Sequence, residues 1–151
     1  MIVDKIKSKN TEKSIILPSS NIYLNRELIV ASYQKGTATL TNITDICDDV
    51  KDLISALQKL GVKITINEQK SEIEVIGTNG KFSSPKDAEI NCGVGGTTTR
   101  FLIGLSLLFD FDVKITAIGK MLERPVNNLL DVISKLGKDV KYLQKTIFFA
   151  G

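Results

Sequence analysis

One stretch of this chain occurs twice. Leu-Ile-Ser-Ala-Leu-Gln-Lys-Leu-Gly at 53–61 returns as Leu-Leu-Asp-Val-Ile-Ser-Lys-Leu-Gly at 129–137, an offset of 76 residues from Gly61 to Gly137, while Arg26 returns as Arg100 at an offset of 74. Two extra residues in the middle account for the difference. A period this long exceeds the roughly 20–50 residues of solenoids and propellers, so the repeat specifies a duplicated unit of mixed helix and strand. The fold of these 151 residues has to hold that unit twice.

Local patterning supplies the elements of each unit. Leu28, Ile29, Ala31 and Ser32 after Asn25-Arg26 suit a short helix closed at Lys35-Gly36, and Thr37 to Ile43 alternates as a strand does. Asp45, Asp48 and Asp49 open a second helix, with Val50, Leu53, Ile54, Leu57 and Leu60 at three- and four-residue spacing before Gly61. Strands are expected at Val62 to Ile66 and Glu72 to Ile76, then a turn-rich connection from Gly77 to Pro85 centred on Asn79-Gly80. The second half repeats the order. A helix begins at Arg100 and runs through Phe101, Leu102, Leu105 and Leu108, a strand covers Val113 to Ile118, and a helix from about Pro125 turns Leu129, Leu130, Ile133 and Leu136 inward before Gly137. Each unit reads strand, helix, strand, helix, strand, strand, one over 17–90 and the other over 91–151, an α+β fold of tandem βαβαββ modules.

Composition narrows the chemistry. At 42% hydrophobic and 25% charged the chain is an ordinary globular one. It contains no histidine, which removes Ser-His and Cys-His pairs, imidazole metal sites and imidazole proton shuttles. The net charge of +3 is mixed along the chain, so no nucleic-acid footprint is expected. Cys47 and Cys92 lie 45 apart, with no CxxC spacing and no signal peptide before them, which predicts free thiols in a reducing, cytoplasmic setting. The longest apolar stretch, Phe101 to Phe109, is nine residues, too short for a membrane span of about 20.

The arginines stand out. Of the 20 basic residues only Arg26, Arg100 and Arg124 are arginine, and all three fall at junctions: two at helix starts, one in the loop before Pro125. A guanidinium grips carboxylate or phosphate through a planar fork that lysine cannot reproduce, which points to a small anionic ligand, with structural ion pairing to Asp or Glu as the alternative. Gly93-Val94-Gly95-Gly96-Thr97-Thr98-Thr99 leads into Arg100 and combines close-approach glycines, hydroxyl donors and an electropositive helix start, although a plain threonine-capped turn has the same letters. It matches neither a Walker A loop nor a GxGxxG turn.

Three ordered blocks carry a resemblance. Pro18 to Arg26 is similar to a Pro-Gly-Ser-Lys-Ser-x-Ser-Asn-Arg segment, Gly93 to Arg100 to Gly-Asn-Ala-Gly-Thr-x-x-Arg, and Met121 to Pro125 to Met-x-x-Glu-Arg-Pro with one residue fewer. From about Leu17 to Leu143 the chain resembles the enolpyruvyl transferases, and within them the N-terminal part of the 3-phosphoshikimate 1-carboxyvinyltransferases, the glyphosate-sensitive enzymes of the shikimate pathway and aromatic amino-acid biosynthesis. The resemblance implies βαβαββ modules packed around buried helices, three to each of two domains, of which two modules would lie here. It implies transfer of the enolpyruvyl group of phosphoenolpyruvate to the 5-hydroxyl of shikimate 3-phosphate between closing domains, with no metal or organic cofactor. By position, Arg26 would hold the shikimate carboxylate, Ser20 and Asn21 would lie in the opening substrate segment, Gly96 and Arg124 would contact phosphoenolpyruvate, and Thr97 and Arg100 would support that second site.

Departures from the family pattern qualify the expected activity. Asn21 stands where the family has a lysine that touches both substrates, Ile22 where it has a phosphate-binding serine, Ser19 for a glycine and Val94 for an asparagine. The family's acid and base residues belong to parts outside this stretch, so no catalytic residue is assigned here. A fragment or diverged partial form that is not fully active alone is the expectation, with a complementary domain or self-association as its partner; exposed aromatics at Phe148-Phe149 would point to truncation or association. Two alternatives remain: a noncatalytic anion-binding relative, and an enzyme like the UDP-N-acetylglucosamine enolpyruvyl transferases.

Overall fold

The computed structural model describes residues 19–143 and 146–150, and the side chains of 142, 143 and 148–150 are not described. Leu17-Pro18, the strand expected before the first helix and the exposure of Phe148-Phe149 lie outside that description. The elements run α1 (Asn21–Tyr33), β1 (Lys35–Leu40), α2 (Asp48–Lys59), β2 (Lys63–Asn67), β3 (Glu72–Thr78), β4 (Glu89–Asn91), α3 (Gly96–Leu105), β5 (Val113–Thr116), α4 (Asn127–Lys135), β6 (Asp139–Leu143) and β7 (Thr146–Ala150). Single 3-10 turns lie at Glu68–Lys70, Ser106–Leu108 and Gly119–Glu123.

The two sheets share one plan. The first has the order β1-β3-β2, all antiparallel, with Ala38 opposite Val75 and Ile64 opposite the same residue. The second has the order β4-β5-β7-β6, so β5, β7 and β6 repeat the places of β1, β3 and β2, and β4 pairs parallel to β5. Between the sheets α1, α2 and α3 pack on one another; α1 lies on β3, α3 on β5, and α4 on α3 and β6. One contiguous core joins both units through Leu28, Leu57, Ile73, Ile90, Leu102 and Ile115. The fold is α+β.

Glycines set two of the boundaries. Gly61 and Gly137, at φ +89° and +97°, take the left-handed conformation that ends α2 and α4, as their repeat positions imply. Gly77 has another reason: a Cβ there would lie 2.2 Å from the Gln34 carbonyl oxygen, because β3 crosses the end of α1 at backbone contact.

Several boundaries differ from expectation. β1 stops at Leu40 because Asn42 adopts φ +62°, and Ile43 instead donates its N–H to the Ser71 carbonyl. β5 stops at Thr116 rather than Ile118, and Leu108 lies in a 3-10 turn beyond α3. α1 and α3 start earlier than Arg26 and Arg100, so neither arginine is at a helix start; each sits in the second turn. Neither early turn has an amphipathic signal. Ile22 and Tyr23 are exposed while Leu24 and Asn25 are buried, and the Gly-Thr-Thr-Thr opening of α3 is composed of poor helix formers. One tertiary and one local bond hold it: Thr98 donates to the Asp49 carbonyl of α2 at 3.0 Å, and Thr99 to the carbonyl of Gly95, just before the helix, at 2.8 Å. Leu136 is the misplaced core residue, 64% exposed where an inward position was expected. Among the described residues no helix is long and apolar enough to cross a membrane.

Candidate functional site

Five of the seven candidate residues meet at one cavity. Arg26, Gly96, Thr97, Arg100 and Arg124 line a hollow of about 320 Å³ together with Asp49 and Phe101. Ser20 and Asn21 are not in its wall: Ser20 is the extended residue before α1, and Asn21 is the first, exposed residue of the helix. Both lie five or more residues ahead of Arg26 in the chain.

Each arginine reaches the hollow by a different route. Arg26 projects from the second turn of α1, donates Nη1 to the Ile22 carbonyl at 2.6 Å, and lies over the Phe101 ring at 5.5 Å from its centroid. Arg100 projects from the second turn of α3 and donates to two main-chain carbonyls, Gly96 at 3.0 Å and Pro125 at 3.2 Å. Arg124 follows the 3-10 turn at 119–123, which is anchored in the core by Met121 and Val126 on either side. Among the described residues no carboxylate comes within salt-bridge distance of any of the three; every ion pair there uses a lysine. Among the described residues, structural ion pairing therefore does not explain these arginines.

Gly96 explains how two guanidinium groups fit at one helix end. A Cβ at this position would lie 2.6 Å from Arg124 Nη1 and 3.0 Å from Arg100 Nη1, so any larger residue would push the flexible ends of these two side chains away from the helix start. As the first residues of α3, Gly96 and Thr97 also bring helix N–H groups without intrahelical acceptors to the wall. Three guanidinium charges and a helix N-terminus face a single carboxylate, Asp49. The surplus positive charge favours an anion, by an amount moderated by solvent because all three arginines are exposed.

The sequence reading missed two lining residues. Asp49 was visible only as a helix-opening acid, and Phe101 only as a core position of α3; nothing local in either pattern signals a cavity. α2 also places Asp52 against Gly93, where a Cβ would overlap its carboxylate, and burial, then Asp49 and Asp48, push the Asp52 carboxyl above its ordinary value. Cys92 beside it is fully buried, and burial pushes its thiol up to about 12, which makes it a packing residue and no nucleophile at neutral pH. Cys47 and Cys92 are both free.

Comparison with known sequences gives this geometry a context. The family profile described as EPSP synthase (3-phosphoshikimate 1-carboxyvinyltransferase) matches residues 6–149, nearly the whole chain. The chain belongs to the EPSP synthase family. The 3-phosphoshikimate 1-carboxyvinyltransferase of Cronobacter sakazakii is 36% identical over 132 residues, which is 87% of this chain and 31% of that protein. Its counterpart in Vibrio atlanticus is 37% identical over 128 residues, 85% of this chain and 30% of that protein. An EPSP synthase structure from Acinetobacter baumannii superposes with a TM-score of 0.82 at 19% identity, covering 91% of this chain and 31% of that one, and so shares the fold. The chain thus spans about a third of the EPSP synthases it matches.

Proposed function

We propose that this chain forms one wall of an EPSP synthase-type cleft, which takes shikimate 3-phosphate and phosphoenolpyruvate. In the reaction of such a cleft the 5-hydroxyl oxygen bonds to the enolpyruvyl carbon, the carbon's bond to the phosphate oxygen breaks, and inorganic phosphate leaves. In this reading Arg26 takes the shikimate carboxylate through its planar fork, and Gly96 and Arg124 take phosphoenolpyruvate. Thr97 and Arg100 support that second site, and Ser20 and Asn21 border the first. The observation that carries the reading is the convergence on one hollow of three arginines that pair with no carboxylate among the described residues.

Family membership supports the remaining parts of the proposal. The duplicated units are 17–90 and 91–151, a complementary domain supplies the acid and base groups, glyphosate inhibits the completed enzyme, and the setting is the cytoplasm. A specific observation favours the noncatalytic alternative. At the opening of α1 the neutral Asn21 and the 62% exposed Ile22 leave no charged or hydroxyl donor where the family pattern has lysine and serine.

Amide NMR titration with shikimate 3-phosphate and then phosphoenolpyruvate tests both readings. Saturable shifts at Arg26, Gly96 and Arg124 are expected, and a folded protein that responds to neither compound would overturn the substrate assignment. Binding of both without release of inorganic phosphate, even with a complementary domain added, would select the noncatalytic reading.

A further inference from the structure

The paired arginines of the two units are held unequally, and the inequality gives Phe101 a role. Arg26 and Arg100 occupy the same repeat position, and each donates Nη1 to the carbonyl four residues earlier in its own helix, Ile22 or Gly96. Arg100 has a second hold, from Nη2 to the Pro125 carbonyl. Arg26 has no second carbonyl and no carboxylate among the described residues; it has the face of Phe101, at 5.5 Å, within the roughly 6 Å over which a ring attracts a cation.

The repeat position carries no ring in the other unit. The residue of α1 equivalent to Phe101 is Glu27, which is exposed, and the buried face of α3 is made by Leu102, Ile103 and Leu105. Phe101 is only partly buried and lines the hollow. An unbranched side chain fastened at one nitrogen still rotates about its remaining bonds, and a ring against the guanidinium removes that freedom before a ligand arrives.

We infer that Phe101 is a positioning residue: it holds the Arg26 guanidinium at the cavity wall, as the Pro125 carbonyl holds Arg100. The inference rests on the anion-site reading for its effect on binding, but not for its effect on Arg26 itself.

The experiment uses Phe101→Leu, Phe101→Tyr and Arg26→Gln in the 151-residue chain. In Phe101→Leu the Arg26 Nε–H resonance, observed without ligand, should lose its ring-current displacement, and the affinity for shikimate 3-phosphate should fall about two- to five-fold. Phe101→Tyr should restore both, since it keeps the ring, and in an Arg26→Gln background Phe101→Leu should have no further effect on binding. An Arg26 resonance unmoved in Phe101→Leu would overturn the inference, as would an equal loss of affinity in the Arg26→Gln background. If the unsubstituted chain does not bind shikimate 3-phosphate, the anion-site reading fails, and the ligand-free resonance still decides whether Phe101 positions Arg26.

Discussion

α2 and α4 carry the same nine-letter pattern, yet they are buried differently. Leu57 and Ile133 are equally covered, but Leu60 is fully buried where its counterpart Leu136 is 64% exposed, and Ala56 is buried where Val132 is 51% exposed. The neighbours account for this. α2 packs on both α1 and α3 and also meets β2 and β4, so it is covered on a broad face; among the described residues the main neighbours of α4 are α3 and β6. A repeat therefore dictates that a helix forms and which side is apolar, whereas the number of packed neighbours decides how far round that side is sealed.

The largest effect should come from breaking this inequality directly. Leu60→Ala is expected to cost about 2–5 kcal/mol of stability, by lost transfer energy and a cavity, against a change within about 0.5 kcal/mol for Leu136→Ala. Urea unfolding of both variants measures the difference, and equal losses would show that α4 is covered as completely as α2.

A second pair sharpens the comparison at the site. Gly96 and Ile22 are four residues before Arg100 and Arg26, but only position 96 is pressed by two guanidinium groups. Gly96→Ala should displace Arg124 and weaken phosphoenolpyruvate binding at least about tenfold, equivalent to some 1.4 kcal/mol, whereas Ile22→Ala, at a 62% exposed position, should leave it unchanged. Calorimetric titration decides it; a Gly96→Ala protein that binds as before would mean the ligand is not held between Arg100 and Arg124.

The smallest effect concerns Asp52, which α4 replaces by Asn128 at the same repeat position. Burial is the first cause of its raised pKa, followed by Asp49 and Asp48. A carboxyl whose pKa is higher folded than unfolded holds its proton more tightly in the fold, so it subtracts from stability above its ordinary 3.8 and no longer does so below that value. Asp52→Asn should therefore raise the melting temperature slightly near about pH 7 and have no such effect near about pH 3. A gain that does not depend on pH would locate the effect in packing instead of charge.

Much of this was legible in the letters. The duplication, the apolar stripes of α2 and α4, the glycines that end them and the scarcity of arginine follow from periodicity and from the distinct chemistry of single residue types, which act over one or two helical turns. The early turns of α1 and α3 were not legible. α1 is apolar on several sides, and the first turn of α3 is Gly-Thr-Thr-Thr, stabilised by the Asp49 carbonyl 49 residues away. Nor did any pattern place Phe101 beneath Arg26, Gly96 between two guanidinium groups, or Leu136 in solvent. Those facts depend on which elements become neighbours across some 25 to 100 residues of chain, and a local pattern carries no such information. By itself the sequence determined two copies of one α+β unit and three unusual cations. Only the packing of α1 against α3, and of the 119–123 turn against the start of α3, decided that the three cations share one hollow, because their convergence is a property of the core that holds those elements together.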